Sequence, residues 1–255
     1  LGDVYKRQPV YHPEERINWT LSASFKHQKA KYEDIGNSLD QFNKENLNTS
    51  LVRYYDGGSP TALWAVRSLG INPSDGRELF LTKEGTYTFE YDTEDEVVVG
   101  NSEPKLEGVL GSTLYWKGFS FSLYFRYSLG ADVFTEATYN KVENISLAGL
   151  KSNQDKRALH DRWQKPGDHA KFKGISLTET TPISSRFVLR ENYIKAESIS
   201  VGYDFESQAV QKLGIQSLRL QANTTDLFRI SSIKEERGIE YPFARSFSFS
   251  LSAMF

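Results

Sequence analysis

Strict alternation of apolar and polar side chains is the feature that most restricts the fold of this chain. From Ile17 to Phe25 every second residue is apolar, and the residues between them are Asn, Thr, Ser and Ser. From Phe247 to Phe255 the pattern recurs, with serine at positions 248, 250 and 252. Side chains of a strand alternate between two faces, whereas a helix repeats every 3.6 residues. The alternation therefore predicts strands with one apolar and one polar face.

Segment 105–130 predicts a β-hairpin with a defined register. Two alternating runs flank Lys117-Gly118, which suits a two-residue turn. Pairing across this turn sets Trp116 opposite Phe119, Leu114 opposite Phe121, Leu110 opposite Phe125 and Leu106 opposite Leu129. Gly108 and Ser112 interrupt the resulting apolar surface, which carries no charge, and Arg126 belongs to the other face. One register thus explains both faces of the hairpin.

Two further alternating runs, at 192–205 and 214–225, bring the predicted strands to six. Lys195 and Glu197 interrupt the apolar face of the first run, so we expect that end to lie beyond any apolar medium. The connections between strands are alternately long (28–104, 131–191 and 226–244) and short (117–118 and 206–213). Outer-membrane barrels have long extracellular loops and short periplasmic turns, and about 9–11 residues of a tilted strand cross a bilayer. The spacing therefore favours a membrane barrel.

The start of the chain does not share this pattern. Segment 1–16 is poorly defined, and residues 1–8 (LGDVYKRQ), which lack period two, are interpreted as a possible remnant of cloning or assembly. We expect the strand that begins at Ile17 to lack an upstream partner. Because an unpaired strand edge is not viable in lipid, the six strands either close as a small barrel or end a larger one.

Composition and charge exclude several classes of protein. The chain has no cysteine, which excludes disulfides, thiolate metal sites and a cysteine nucleophile. A net charge of −2 gives no electrostatic basis for binding nucleic acid. The longest apolar run, Ala62 to Val66, is far shorter than the roughly 20 residues of a transmembrane helix. We expect no metal and no cofactor.

Five segments, in order along the chain, resemble the C-terminal part of the SusC/RagA family of TonB-linked outer-membrane proteins. They begin at Leu63 (LWAVRSLGINPSDGRELFLTKEGTYTF), Glu103 (EPKLEGVLGSTLYWKGFSFSLYFRYSLGADVF), Arg162 (RWQKPGDHAKFKGI), Ser184 (SSRFVLRENYIKAESISVGYDF) and Asn223 (NTTDLFRISSIKEERGIEYPFARSFSFSLSAMF). The resemblance extends from about Ile17 to the last residue.

The resemblance implies an all-β fold, an antiparallel transmembrane β-barrel with long extracellular loops. Residues 17–255 would be its C-terminal portion, about six strands of roughly 22. It also implies a place in the bacterial outer membrane and uptake of oligosaccharides or peptides, without enzyme activity. The implied partners are outer-membrane lipid, a SusD-like surface lipoprotein, TonB through an N-terminal part, and the barrel assembly machinery.

Aromatic residues of the long loops are the candidates for contact with a substrate. Trp64, Tyr139 and Trp163 could stack on the C–H face of a sugar, although each could instead pack its own loop. Phe255 is the other candidate, because the resemblance marks a terminal aromatic residue as the signal read by the assembly machinery. Its ring would also belong to the aromatic girdle at the membrane interface.

Other sites and functions have weaker support. An acidic run could ligate calcium, but its spacing does not match an EF-hand loop, and such runs are usually solvated. It consists of Asp92, Glu94, Asp95 and Glu96. A soluble β-sandwich that binds carbohydrate is the main alternative function. A glycoside hydrolase would need two carboxyl groups about 5–9.5 Å apart, and no such pair is recognisable.

Overall fold

The computed structural model describes residues 4–5, 9–12, 17–36, 38–176, 178–205, 212, 214–234 and 245–255. The chain divides into two compact units. The first comprises Leu1–Gln28, Pro104–Gly130 and Glu191–Phe255, and the second comprises Lys29–Glu103 and Ala131–Arg190. Within the described ranges, no helix is both long enough and apolar enough to cross a membrane.

Strands dominate the secondary structure, which confirms the predicted antiparallel, mostly-β fold. The strands are β1 (Val4–Tyr5), β2 (Pro9–His12), β3 (Ile17–Ser24), β4 (Ala62–Ile71), β5 (Glu78–Leu81), β6 (Tyr87–Thr88), β7 (Glu96–Asn101), β8 (Leu106–Trp116), β9 (Phe119–Phe134), β10 (Val188–Phe205), β11 (Ser217–Thr225), β12 (Arg229–Ser231) and β13 (Phe247–Met254). The helices are α1 (Asp40–Glu45), α2 (Glu136–Thr138) and α3 (Arg157–His160). Single 3₁₀ turns cover Thr93–Asp95, Gly149–Lys151 and Ser185–Phe187, and a π turn covers Tyr139–Glu143.

All six predicted strands lie in one sheet, in the order β3-β8-β9-β10-β11-β13. Two short strands lie on the other side of β3: Val4 of β1 pairs with Ser24, and Pro9 of β2 pairs with Thr20. The expectation that the strand from Ile17 lacks an upstream partner is therefore wrong. Strands pair through hydrogen bonds between backbone groups, and the alternation of side chains does not indicate which segment supplies the partner.

The β8–β9 hairpin has the predicted register. Trp116 lies opposite Phe119, and the pairing continues without a shift as far as Leu106 and Leu129. The turn residues Lys117-Gly118 have φ values of 47° and 85°. Two consecutive positive φ angles are typical of a type I′ turn, whose twist matches that of the flanking strands. The turn therefore fixes which side chains of the hairpin share a face.

The register of β10 changes where its neighbouring strand changes. Ile199 lies opposite Thr224 of β11, whereas Ile194 lies opposite Ile230 of β12, one residue out of step. Between β11 and β12, Asp226 has a φ of 48°. Across this change, the β11–β12 side therefore has one more residue than β10, which is the count of a bulge.

The side chains of β10 do not keep one alternation along the whole strand. Tyr203 packs against Phe119 of the apolar face, with ring centroids 4.5 Å apart. Glu197 is an even number of residues from Tyr203, so strict alternation would place both on the apolar face. Its carboxylate nevertheless accepts a hydrogen bond from Arg126 at 2.6 Å, on the polar face. Lys195 pairs with Asp226 at 3.1 Å. The prediction that Lys195 and Glu197 interrupt the apolar face is therefore wrong, because it assumed an unbroken period of two.

Side-chain hydroxyls complete the contact between β3 and β8. A side chain at Gly108 would collide with the carbonyl oxygen of Ser24. The Tyr127 hydroxyl donates to that oxygen at 3.0 Å, and the Ser24 hydroxyl accepts from the amide of Val109 at 2.9 Å. The end of this strand pair thus combines a close backbone approach, which requires glycine, with hydroxyl groups that satisfy the backbone.

The second unit consists of two of the predicted long loops, and it contains its own sheet and core. The sheet has the order β6-β5-β4-β7. One buried cluster contains Leu51, Leu63, Ala65 and Ile183, and the other contains Val142, Ala158, Phe172 and Phe187. The third predicted loop, 226–244, includes β12, and its residues 235–244 lie outside the described part of the chain. So does the predicted turn 206–213, apart from Lys212.

We predict that replacing Tyr127 with phenylalanine lowers the free energy of unfolding by about 1–3 kcal/mol, because the Ser24 carbonyl loses its hydroxyl donor. Gly108→Ala should cost more, since the new methyl group has to displace that carbonyl. Tyr124→Phe is the matched control, because its hydroxyl reaches only the Thr113 hydroxyl at 3.4 Å. Urea unfolding of the protein would measure the three effects. Equal effects of Tyr127→Phe and Tyr124→Phe would contradict the prediction.

Candidate functional site

The sheet of the first unit exposes an apolar face. Trp19 is 41% exposed, Phe119 is 52% exposed and Phe249 is 78% exposed. Other exposed apolar residues of its strands and ends are Leu21, Phe25, Leu110, Trp116, Phe121, Leu129, Val201, Leu220, Phe247, Leu251 and Phe255. In a soluble sandwich such a face packs against a second sheet, and large exposed apolar patches mark contact surfaces. This face is therefore a contact surface.

Aromatic side chains lie at both ends of the apolar face. Towards the Lys117-Gly118 turn, Tyr203 packs against Phe119 and also against Phe205, with ring centroids 4.8 Å apart in the second pair. Towards the long connections, Phe25 lies 6.3 Å from Tyr127. The candidate assembly signal, Phe255, directly follows β13 and has an exposed side chain. Its role stays a prediction.

The opposite face of the sheet carries paired polar groups. Arg126 donates to Glu197 at 2.6 Å. Arg219 lies 3.5 Å from the carboxylate of Asp204 and donates to the Ser120 hydroxyl at 3.1 Å. One apolar and one polar face is also the arrangement of a barrel wall.

A buried ion network joins distant parts of the second unit. Arg186 lies 2.9 Å from Glu78 and 3.0 Å from Glu143, and both carboxylates are buried. The hydroxyls of Ser184 and Thr181 donate to Glu78 and Glu143. Burial opposes the charge of Arg186, but the two carboxylates outweigh it and raise the pKa of the guanidinium. This network is not predictable from the sequence, because its members are far apart and share no local pattern.

The acidic run makes structural contacts rather than forming a cluster of free carboxylates. Glu96 forms a buried ion pair with Arg53 at 2.8 Å. Burial raises the pKa of Glu96, against the opposing effect of Arg53. Asp92 accepts from the amide of Glu94, and Asp95 accepts from the amide of Lys83. Among the residues that the structure describes, no group of three potential metal ligands occurs.

The three candidate aromatic residues lie in the second unit. Trp64 is a half-buried residue of β4. The Tyr139 hydroxyl donates to the carbonyl of Thr181 at 2.8 Å, and burial raises its pKa. The Trp163 indole donates to the carbonyl of Pro73 at 3.0 Å. Trp64 contacts the ring of Tyr55, and Tyr139 contacts the rings of Phe134 and Phe187. These ring contacts do not join the three candidates to one another. A role in binding substrate stays a prediction for each of them.

Sequence comparison finds partial similarity to TonB-dependent receptors. TonB-dependent receptor P39 of Formosa agariphila is 24% identical over 161 residues, which are 62% of this chain and 15% of that protein. TonB-dependent receptor P3 of the same organism is 25% identical over 173 residues, which are 68% of this chain and 16% of that protein. No protein-family model matches the chain. The chain thus spans about a sixth of the length of these relatives.

Structural comparison finds the same fold in solved transporters. The RagAB peptide transporter matches with a TM-score of 0.70 and 15% identity, over 89% of this chain and 25% of the solved chain. The RagAB peptide importer in its open-open state matches with a TM-score of 0.67 and 16% identity, over 91% of this chain and 25% of the other. The predicted similarity to TonB-dependent receptors is therefore confirmed, by partial sequence similarity and by a shared fold.

We predict that Arg53→Met destabilises the second unit by about 3–5 kcal/mol, because it leaves the buried Glu96 carboxylate without its cation. The double variant Arg53→Met/Glu96→Leu should recover most of that loss. Arg77→Met, which removes the exposed partner of Asp75, should change little. Hydrogen exchange of the β4 and β7 amides would report the differences. A double variant no more stable than Arg53→Met would refute the prediction.

Proposed function

We propose that this chain is the C-terminal portion of a SusC/RagA-type TonB-dependent receptor, which takes up nutrients through the bacterial outer membrane. Residues 17–255 would supply about six strands of a barrel of roughly 22, together with their outer loops. The observation that carries the proposal is the exposed, uncharged apolar face of the sheet, backed by a polar face. Both kinds of relative support it, since they are receptors or transporters by name.

The height of the apolar face agrees with this proposal. Along β9, apolar residues of this face extend from Phe119 to Leu129. At about 3.3 Å per residue this length is roughly 33 Å along the strand. A tilt of about 40° reduces it to roughly 25 Å, the height of the apolar band of outer-membrane barrels. The aromatic pairs at the two ends would then lie at the two membrane interfaces.

The long connections would lie outside the cell and handle the cargo. In an antiparallel sheet, the connections 28–104 and 131–191 leave from the same end, opposite the Lys117-Gly118 turn. The second unit, built from these connections, would contribute to the extracellular surface of the receptor. Trp64, Tyr139 and Trp163 belong to this unit and are the proposed substrate contacts.

The cargo would be an oligosaccharide or a peptide, and the receptor would act without catalysis or a cofactor. The solved RagAB protein is a peptide transporter by name, which supports the peptide alternative. We propose a SusD-like surface lipoprotein as the extracellular partner. TonB would supply energy through a part of the receptor that precedes this segment, and the barrel assembly machinery would insert the barrel.

We predict that Leu123→Arg lowers the amount of folded receptor in the outer membrane, because a charge near the middle of the lipid-facing band costs about 2–4 kcal/mol. Ser122→Arg, the matched control, places the same charge on the polar face of the same strand. Heat-modifiable folded protein in outer-membrane fractions would compare them. Equal losses for the two variants would contradict a lipid-facing role for this face.

We also predict that a strain without the full-length gene loses uptake of one labelled cargo class, oligopeptides or oligosaccharides. Restoring the gene should restore uptake, and a protonophore should abolish it, because TonB draws on the proton gradient of the inner membrane. Filter-binding measurements with both labelled mixtures would identify the class. Unchanged uptake of both mixtures would count against the proposed function.

A further inference from the structure

A groove of about 560 Å³ opens on the apolar face of the first unit. Its apolar lining includes Phe25, Leu110, Leu129, Ile194 and Ile230. These residues come from β8, β9, β10 and β12 and from the position that follows β3. The groove therefore interrupts an otherwise continuous apolar surface, on the side of the sheet nearer the long connections.

A glycine, a tyrosine side chain and a change of register shape this groove. Gly108 contributes no side chain, and the Tyr127 hydroxyl lies within 2.7 Å of the point that a side-chain carbon at Gly108 would occupy. Tyr127 is only 9% exposed and lines the groove, held by its hydrogen bond to Ser24. Beyond it, the register change of β10 pairs Ile194 with Ile230, and both line the groove.

Polar groups of Asn192 and Ser232, which line the groove, are engaged within the protein. The Asn192 side-chain oxygen accepts from the amide of Gly130 at 2.7 Å. The backbone N–H of Asn192 donates to the Ser232 hydroxyl at 2.8 Å. Among the described residues, none of those that line the groove is charged. The groove thus offers apolar contacts, which suit a hydrocarbon chain better than a sugar, a peptide or a phosphate.

We propose that this groove holds one acyl chain of an outer-membrane lipid. The inference rests on the proposed function, in which the same face meets lipid, so a chain can enter the groove without leaving an apolar medium. Lipid tails are as apolar as leucine, and the hydrophobic effect therefore gives no preference for the groove. An empty groove, however, would forfeit dispersion contacts along its walls, and a flexible acyl chain can supply them.

Photolabelling of the full-length receptor would test this inference. The receptor is reconstituted in vesicles of phosphatidylethanolamine and phosphatidylglycerol that contain a trace of phosphatidylethanolamine with a diazirine on one acyl chain. After illumination, mass spectrometry maps the labelled residues. We expect several-fold more label at Leu110, Leu129 and Ile194 than at Val201 and Leu220, which lie on the same face outside the groove.

A matched pair of variants separates the groove from the rest of the face. Ile194→Trp fills the groove and should reduce labelling of Leu129 to the level of Val201. Val201→Trp adds the same bulk outside the groove and should leave labelling of Leu129 unchanged. Equal labelling of groove and surrounding face in the unaltered receptor would overturn the acyl-chain site but leave the membrane role intact. Absence of label from both would overturn the membrane role as well.

Discussion

In the proposed receptor the apolar face of the sheet meets lipid, so every backbone polar group there has to be satisfied from within the protein, because hydrocarbon offers no hydrogen bonds. The ladders between β3, β8, β9, β10, β11 and β13 provide most of these bonds. Where the ladder is irregular, at the end of β3, the hydroxyls of Tyr127 and Ser24 take over. The close approach of the Ser24 carbonyl excludes a side chain at Gly108.

The second unit is held together by small apolar clusters and by buried ion pairs. Its core clusters are small, and buried charges connect segments that lie far apart in sequence. Arg186 bridges Glu78 of β5 and Glu143 of the π turn, and Arg53 pairs with Glu96 at the start of β7. Such pairs contribute little net stability compared with apolar contacts, but removing one partner is costly. The main effect that we infer for these ion pairs is to determine which segments pack together, rather than to add stability to the unit.

The sequence predicted those elements whose geometry is set by neighbouring residues. The β8–β9 register followed from period two and a two-residue turn, and it was correct in every pair. The face of Glu197 was not predictable, because the alternation of β10 changes along the strand without a distinctive residue. The sequence predicts only long connections where the second unit lies, because the strands of this unit are short and its contacts join residues far apart in the chain. Tyr139 and Trp163 were recognised by type alone, which does not reveal the carbonyl groups that they bind.

The two-residue turn also has a consequence for the order of folding. Pairing of β8 with β9 closes a loop of only two residues, whereas pairing of β3 with β8 has to close the whole segment 28–104. The entropic cost of closure rises with loop length, and local contacts form faster than distant ones. The hairpin is therefore the natural nucleus of the sheet. Its neighbours would add to a template that already presents both faces, so a slipped hairpin would propagate its error to every later strand.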